Sequence, residues 1–310
     1  MVYSVSDLIL IAGCYLLFLF AVAWITERGW LPAHWVRHPA VYVLSLGVYA
    51  SAWAVYGSVG YAYQYGYNFL SYFLGISGVF LLAPILLAPI LRLTTTYQLS
   101  SLADLFAFRY RSRLAGAMTT IIMLIGVLPL LALQLKAVAE SIQILSGTAD
   151  PRDLAAGFCL MMVIFAILFG TRQSDATRHN SGLMRVLALE AVLKLAALVA
   201  VAILSVFLLV QGGLPDRELA TQPFDRFSVS ERFLTMTLLS TAAIVCLPRQ
   251  FHVAMIERQG QKDLDTARWV FPLYMLLTSL VVVPIAMAGL SLFGAAAQPD
   301  LFVLDLPLEQ

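Results

Sequence analysis

The chain has 310 residues, 61% of them apolar and 12% charged, with a formal net charge of +1. Such an apolar excess lies far from the soluble average. In a near-neutral chain whose basic residues are spread over several loops, nothing points to a nucleic-acid surface.

In chain order, eight apolar stretches cover roughly residues 8–24, 41–63, 69–93, 114–145, 154–169, 183–210, 233–256 and 269–293. About 20 apolar residues carry a helix across a hydrocarbon core of ~30 Å, so the pattern predicts a polytopic membrane protein. The short fifth stretch gains length from Gly170 and Thr171. The first is too long for a cleaved secretory signal, and Asp7 flanks it; it reads as a retained helix. Cys14, Cys159 and Cys246 fall singly inside apolar stretches without metal-ligand spacing and read as small buried thiols.

Charge predicts the orientation, because Lys and Arg stay on the side from which the chain is inserted. One set of loops holds Arg28, Arg37, Arg92, Arg109, Arg111, Arg113, Arg172, Arg178, Arg185, Arg258, Lys262 and Arg268. The opposite set holds Arg152, Arg217, Arg226 and Arg232, diluted by Asp150, Asp153, Asp216, Glu218, Asp225 and Glu231. The first set reads as cytoplasmic, which puts the amino terminus outside and, after eight crossings, an acidic tail over 298–310 outside as well. Arg109 to Arg113 could meet anionic lipid, but a topology signal is the simpler account. The polar loop 211–232 reads as a connection, and His34, His38 and His179 as interfacial.

Breakers within the spans matter because freed backbone groups cannot face lipid. The second stretch contains Gly47, Gly57 and Gly60 among small residues and aromatics, and the seventh is interrupted by Pro248. Close helix packing through small residues is one reading of the second stretch; a broken helix facing a cavity is the other. Arg249, Gln250 and His252 follow the proline directly. Arg249 lies seventeen residues beyond Arg232, about 25 Å by helical rise. It is either a snorkelling interfacial arginine or part of a polar cluster that pairs with a substrate carboxylate.

Two ionisable pairs have the i,i+4 spacing that puts both side chains on one helix face. Glu190 and Lys194 lie about 8 and 14 Å into the bilayer from Arg185 by helical rise, and are expected to touch, either along an ion path or as a structural pair. Lys136 and Glu140, with Gln134 slightly deeper, repeat the spacing near the outer surface and read as structural.

Several segments together resemble the sodium:solute symporter family. They are GVYASAWAVYGSVG from Gly47 to Gly60, YQLSSLADLFAFRYRSR from Tyr97 to Arg113, GLMRVLALEAVLK from Gly182 to Lys194, and LPRQFHV from Leu247 to Val253. SLADLFAFRYRSR and LPRQFHV look most like the amino-terminal transporter-like module of CbrA-type bacterial sensor histidine kinases. The resemblance implies an all-α, LeuT-like core of five helices repeated in inverted orientation, each repeat opening on a discontinuous helix. The whole of 1–310 would be one transmembrane module: a leading helix at 8–24, a first repeat at 41–210, and the first two helices of the second at 233–293. With the family's eighth core helix absent, the chain is expected to be an amino-terminal portion of a longer protein.

By the same resemblance, the backbone carbonyls of Gly47 and Ala50 would hold a sodium ion, the coupling ion and the sole cofactor expected. Glu190 would line the inward ion exit with Lys194 beside it. Arg249, Gln250 and Phe251 match the substrate and inner-gate region, with Trp53, Tyr56 and Gln134 as neighbours. Tyr49 departs from the pattern, since proline-type symporters carry an aspartate there. The implied activity is sodium-coupled transport or sensing of a small organic solute, an amino acid foremost, in a bacterial inner membrane. In a sensor, a cytoplasmic kinase domain and a response regulator would be further partners; no kinase motif occurs within these residues. A free-standing symporter and a passive membrane scaffold are the alternatives.

Overall fold

A computed structural model of the chain describes residues 3–30, 32, 34, 38–147, 151–165, 181–211, 221–224, 227–258, 260–294 and 298–309. Every regular element among them is helical. Among the described residues, four helices or helix runs are long and apolar enough to cross a membrane: Val5–Glu27 (α1), Arg113–Ser146 (α7), Ser181–Gln211 (α9), and Lys262–Phe293, which comprises α12 (Gln261–Leu280) and α13 (Val282–Phe293). Two bent helix pairs raise the number to six if each is one span. This is a multi-pass membrane protein. Pro151–Phe165 (α8) covers part of the fifth apolar stretch; Gly170 and Thr171, and the topology residues Arg37, Arg172, Arg178, Arg217 and Arg226, lie outside the described residues.

The second stretch does not form one helix. Pro39–Ser45 (α2) tightens into a 3₁₀ turn, Leu46–Tyr49, and the chain then leaves helical geometry at Ala50, with φ −71° and ψ 79°. It resumes through a π turn, Trp53–Gly57, into Ser58–Tyr65 (α3). The two arms are bent by 76°. The third stretch is likewise two helices, Leu70–Leu81 (α4) and Ala83–Tyr97 (α5), joined at Leu82, with Pro84 at the start of the second. A short helix, Leu102–Tyr110 (α6), packs on α7.

The seventh stretch breaks where the proline predicts. A residue before proline is pushed out of the α region, and Leu247 is extended at φ −78°, ψ 123° between Glu231–Cys246 (α10) and Pro248–Phe251 (α11). A π turn, His252–Ile256, follows, and the arms are bent by 61°. Each broken span therefore carries a π turn beside its break, a feature frequent at functional sites.

The core lies among α2, α4, α9, α10, α12 and α13. Phe69, Phe80, Phe251, Phe271, Met275 and Ile285 are fully buried there, and Phe80 meets Phe271 edge to face at 4.6 Å. Within a bilayer this apolar surface is already out of water, so these contacts hold the helices together by van der Waals packing rather than by transfer from water. The outer helices differ: none of the apolar window of α1 or α7 is buried inside the protein, so their apolar surface is left for lipid.

Two expectations from sequence are corrected. Cys14, Cys159 and Cys246 are on exposed faces, not in the core; in a membrane, apolar neighbours identify lipid contact as readily as burial. The acidic segment 298–310 is not a free tail. Pro299–Leu301 forms a 3₁₀ turn and Phe302–Leu308 a helix (α14) that packs on α9 and α13, with Phe302 and Leu306 fully buried.

Candidate functional site

The two breaks touch. Tyr42 of α2 donates its hydroxyl proton to the Ala254 carbonyl at 2.9 Å, and Gln250 Nε2 donates to the Leu46 carbonyl at 3.4 Å. Glycine allows α9 to close on the same segment: a Cβ at Gly47 would sit 2.7 Å from the Ala191 methyl.

Unwinding frees backbone groups, and several at the first break have partners. Ala50 N–H donates to Gly47 O at 2.9 Å, Ser51 N–H to Tyr49 O at 2.8 Å, and Ala54 N–H to Ser51 O at 2.9 Å. Besides the Leu46 carbonyl, two further groups are met by side chains from other helices. Ala52 N–H donates to Gln134 Oε1 of α7 at 2.9 Å, and the Ala50 carbonyl accepts from Lys194 Nζ of α9 at 2.8 Å. Without them, each orphaned group would cost about 1–3 kcal/mol.

Glu190 and Lys194 meet as their spacing predicts, at 3.0 Å. Lys194 thus has two oxygen acceptors, Glu190 Oε1 and Ala50 O, for three ammonium donors. This bears on the sodium ion implied by the resemblance. The Gly47 carbonyl already accepts the Ala50 amide, and the Ala50 carbonyl already accepts an ammonium. A second cation beside Lys194 at ~4 Å would meet a repulsion of about 4 kcal/mol at an effective dielectric of 20. The donor set as arranged does not fit a sodium ion together with Lys194.

Polar atoms without a protein partner gather around the breaks. Arg249 Nε, Gln250 Oε1 and Gln134 Nε2 are all buried and unpaired. Gln250 is fully buried, as is Phe251, which belongs to the hydrophobic core cluster and packs there. Arg249 lies within electrostatic reach of Tyr49, Tyr72 and Glu190, which places it toward the first break and α9.

From the break an aromatic wall runs outward. Tyr49 lies 5.3 Å from Tyr72 between ring centroids, Tyr72 4.1 Å from Trp53, and Trp53 6.3 Å from Tyr61. It ends in a cavity of about 270 Å³ whose lining includes Trp53, Tyr56, Gly60, Lys136, Glu140 and Asp300. The Ser141 and Tyr56 hydroxyls hydrogen-bond at 3.0 Å, tying α7 to the π turn. Lys136 and Glu140 pair at 3.4 Å. Asp300 reaches in from the segment read as a tail, and its carboxylate occupies the space that a side chain at residue 60 would need; Gly60 leaves that space open. Burial, and then the neighbouring Glu140 charge, pushes the Asp300 carboxyl above the ordinary aspartate value, partly opposed by Lys136.

Thus the structure gathers Gly47, Ala50, Gln134, Glu190, Lys194, Arg249 and Gln250 at the breaks, and places Trp53 and Tyr56 on the adjoining cavity. Asp300, Tyr49 and Tyr72 are additions. The one sequence signal for Asp300 is its position two residues before the apolar pair Phe302 and Leu306 at i,i+4. The sequence matches no protein-family model, and no curated protein or solved structure matches it.

Proposed function

We propose that this chain is a transporter-like membrane module that binds a small organic solute, an amino acid foremost, between its two broken helices. The reading takes the two bent spans as the discontinuous helices of a LeuT-like core related to the sodium:solute symporters, placed in a bacterial inner membrane with the amino terminus periplasmic. The observation that carries it is the set of buried, unpaired polar atoms at touching breaks: Arg249 Nε, Gln250 Oε1 and Gln134 Nε2. Two donors and one acceptor left unpaired in a low-dielectric site are costly. A solute with a carboxylate and an ammonium supplies both kinds of partner, and Arg249 is the natural partner for the carboxylate. The outer cavity of about 270 Å³ is the entry side, walled by Trp53 and Tyr56.

Occupancy of the breaks would either be followed by passage of the solute or be reported to a cytoplasmic histidine kinase acting with a response regulator. A free-standing symporter is the second reading, and a passive scaffold the third. The test is binding of a panel of radiolabelled amino acids to the purified protein in nanodiscs, followed by uptake into proteoliposomes. Saturable binding lost at least tenfold in Arg249→Gln, with an unchanged unfolding midpoint, supports the reading. No binding of any panel member, or full binding by the variant, refutes it.

A further inference from the structure

We propose that Lys194 is a tethered cation that occupies the cation position of the first helix break, so that this module holds its break together without a bound alkali ion. This deepens the solute-binding reading of the two breaks and rests on it for its functional meaning.

A broken helix presents carbonyl oxygens toward its centre, and oxygen groups of that kind collect a cation from any source that reaches them. Here the source is the chain itself. The Ala50 carbonyl belongs to the residue where helical geometry is lost, and Lys194 Nζ lies 2.8 Å from it and 3.0 Å from Glu190 Oε1. One carbonyl and one carboxylate thus converge on one ammonium. The supporting elements fit this role. Gly47 lets α9 pack against the 3₁₀ turn with Ala191 in contact, and Tyr274 donates its hydroxyl proton to the Ala191 carbonyl at 3.3 Å. These contacts fix the α9 turn from which Lys194 projects, three residues beyond Ala191. The Gly47 carbonyl accepts the Ala50 amide, and among the described residues no ammonium contact to it accompanies the one to Ala50. A lysine at this point supplies one fixed positive charge that does not dissociate from the protein, so the geometry of the break is independent of external sodium.

The consequence can be read with sodium alone. Protein in nanodiscs is titrated with sodium chloride against choline chloride at constant ionic strength, and both the unfolding midpoint and the binding of radiolabelled sodium are recorded. The wild-type curves in the two salts are expected to superimpose, with no saturable sodium binding. Lys194→Ala leaves the Ala50 carbonyl and the Glu190 carboxylate facing an empty ammonium position. It is expected to gain saturable sodium binding and a midpoint that rises by several degrees in sodium but not in choline. Lys194→Arg keeps the charge and is expected to stay insensitive.

Sodium-specific binding or stabilisation of the wild type overturns the proposal, whether or not Lys194→Ala can be purified folded. A folded Lys194→Ala that ignores sodium overturns it too. No solute enters either measurement, so failure of the amino-acid panel and failure of this test are separate results.

Discussion

Two ion pairs share the i,i+4 spacing and differ in what they do. Glu190 and Lys194 are 3.0 Å apart on α9, with the lysine side chain only 24% exposed and hydrogen-bonded across to another helix; Lys136 and Glu140 are 3.4 Å apart on α7, with the lysine 69% exposed. The order also differs: glutamate before lysine suits the helix dipole better than the reverse. Spacing alone puts two charges in contact. Whether that contact matters is decided by a third group, and for Lys194 it is a carbonyl released by a helix that breaks more than 140 residues earlier.

The sharpest way to break the comparison is to truncate each lysine. Lys194→Met leaves a glutamate and a freed carbonyl without their shared cation; the pair is only partly buried, but losing charged hydrogen bonds to both acceptors costs about 3 kcal/mol. The unfolding midpoint in detergent should fall steeply, and restoring charge with arginine should recover most of the loss. A loss no greater than that of an exposed pair would remove the distinction between the two.

Next in size is Gly60→Val, which attacks the surroundings of the α7 pair. Its Cβ would collide with the Asp300 carboxylate, so the turn at residues 299–301 must withdraw, at about 1–3 kcal/mol for overpacking. Limited proteolysis near Phe302 should accelerate, because Phe302 and Leu306 anchor that segment in the core. Unchanged cleavage would mean that the segment is held by α14 alone.

These contrasts also mark what the sequence could and could not convey. Only one break was legible outright: Pro248 forces Leu247 out of the helix by local sterics, whereas the stretch with Gly47, Gly57 and Gly60 read equally as close packing or as a break, and only the family resemblance favoured the break. Contact within each ion pair was legible because it, too, is local. The Lys194 to Ala50 bond, Gln134 on the Ala52 amide and Asp300 against Gly60 are all long-range, and no local pattern predicts which helices meet. The cysteines and the acidic segment failed in opposite directions. An apolar stretch in a membrane protein is as well satisfied by lipid as by core, while a charged segment still buries the two apolar residues that α-helical spacing places on one face.

Asp300 gives a smaller, pH-dependent effect. Its carboxyl titrates above the ordinary value when folded, chiefly through burial and then the charge of Glu140. The folded protein therefore holds the proton more tightly than the unfolded chain. That contribution to stability is fully present below the unfolded value and is lost as pH rises through the folded one. Asp300→Asn should raise the midpoint slightly at neutral pH, by at most about 1 kcal/mol after solvent screening, and the gain should vanish in acid. A gain that persists in acid would assign the effect to packing instead.

The smallest effect belongs to Lys136→Ala, and it distinguishes two accounts of the α7 pair. As an exposed pair it is worth about 0.5 kcal/mol or less. Lys136 also opposes the upward push on Asp300, so its removal deprives two carboxylates of one cation. Combining Lys136→Ala with Asp300→Asn separates these contributions, because residues that share a partner do not add independently. If Lys136 serves Glu140 alone, the truncation costs the same in either background. If it balances the whole acidic rim, the cost at neutral pH is smaller once Asp300 is neutral, and the coupling fades in acid as Asp300 takes up its proton. High salt should shrink that coupling too, whereas the contact of Lys194 with the Ala50 carbonyl, deeper in the protein, should respond far less.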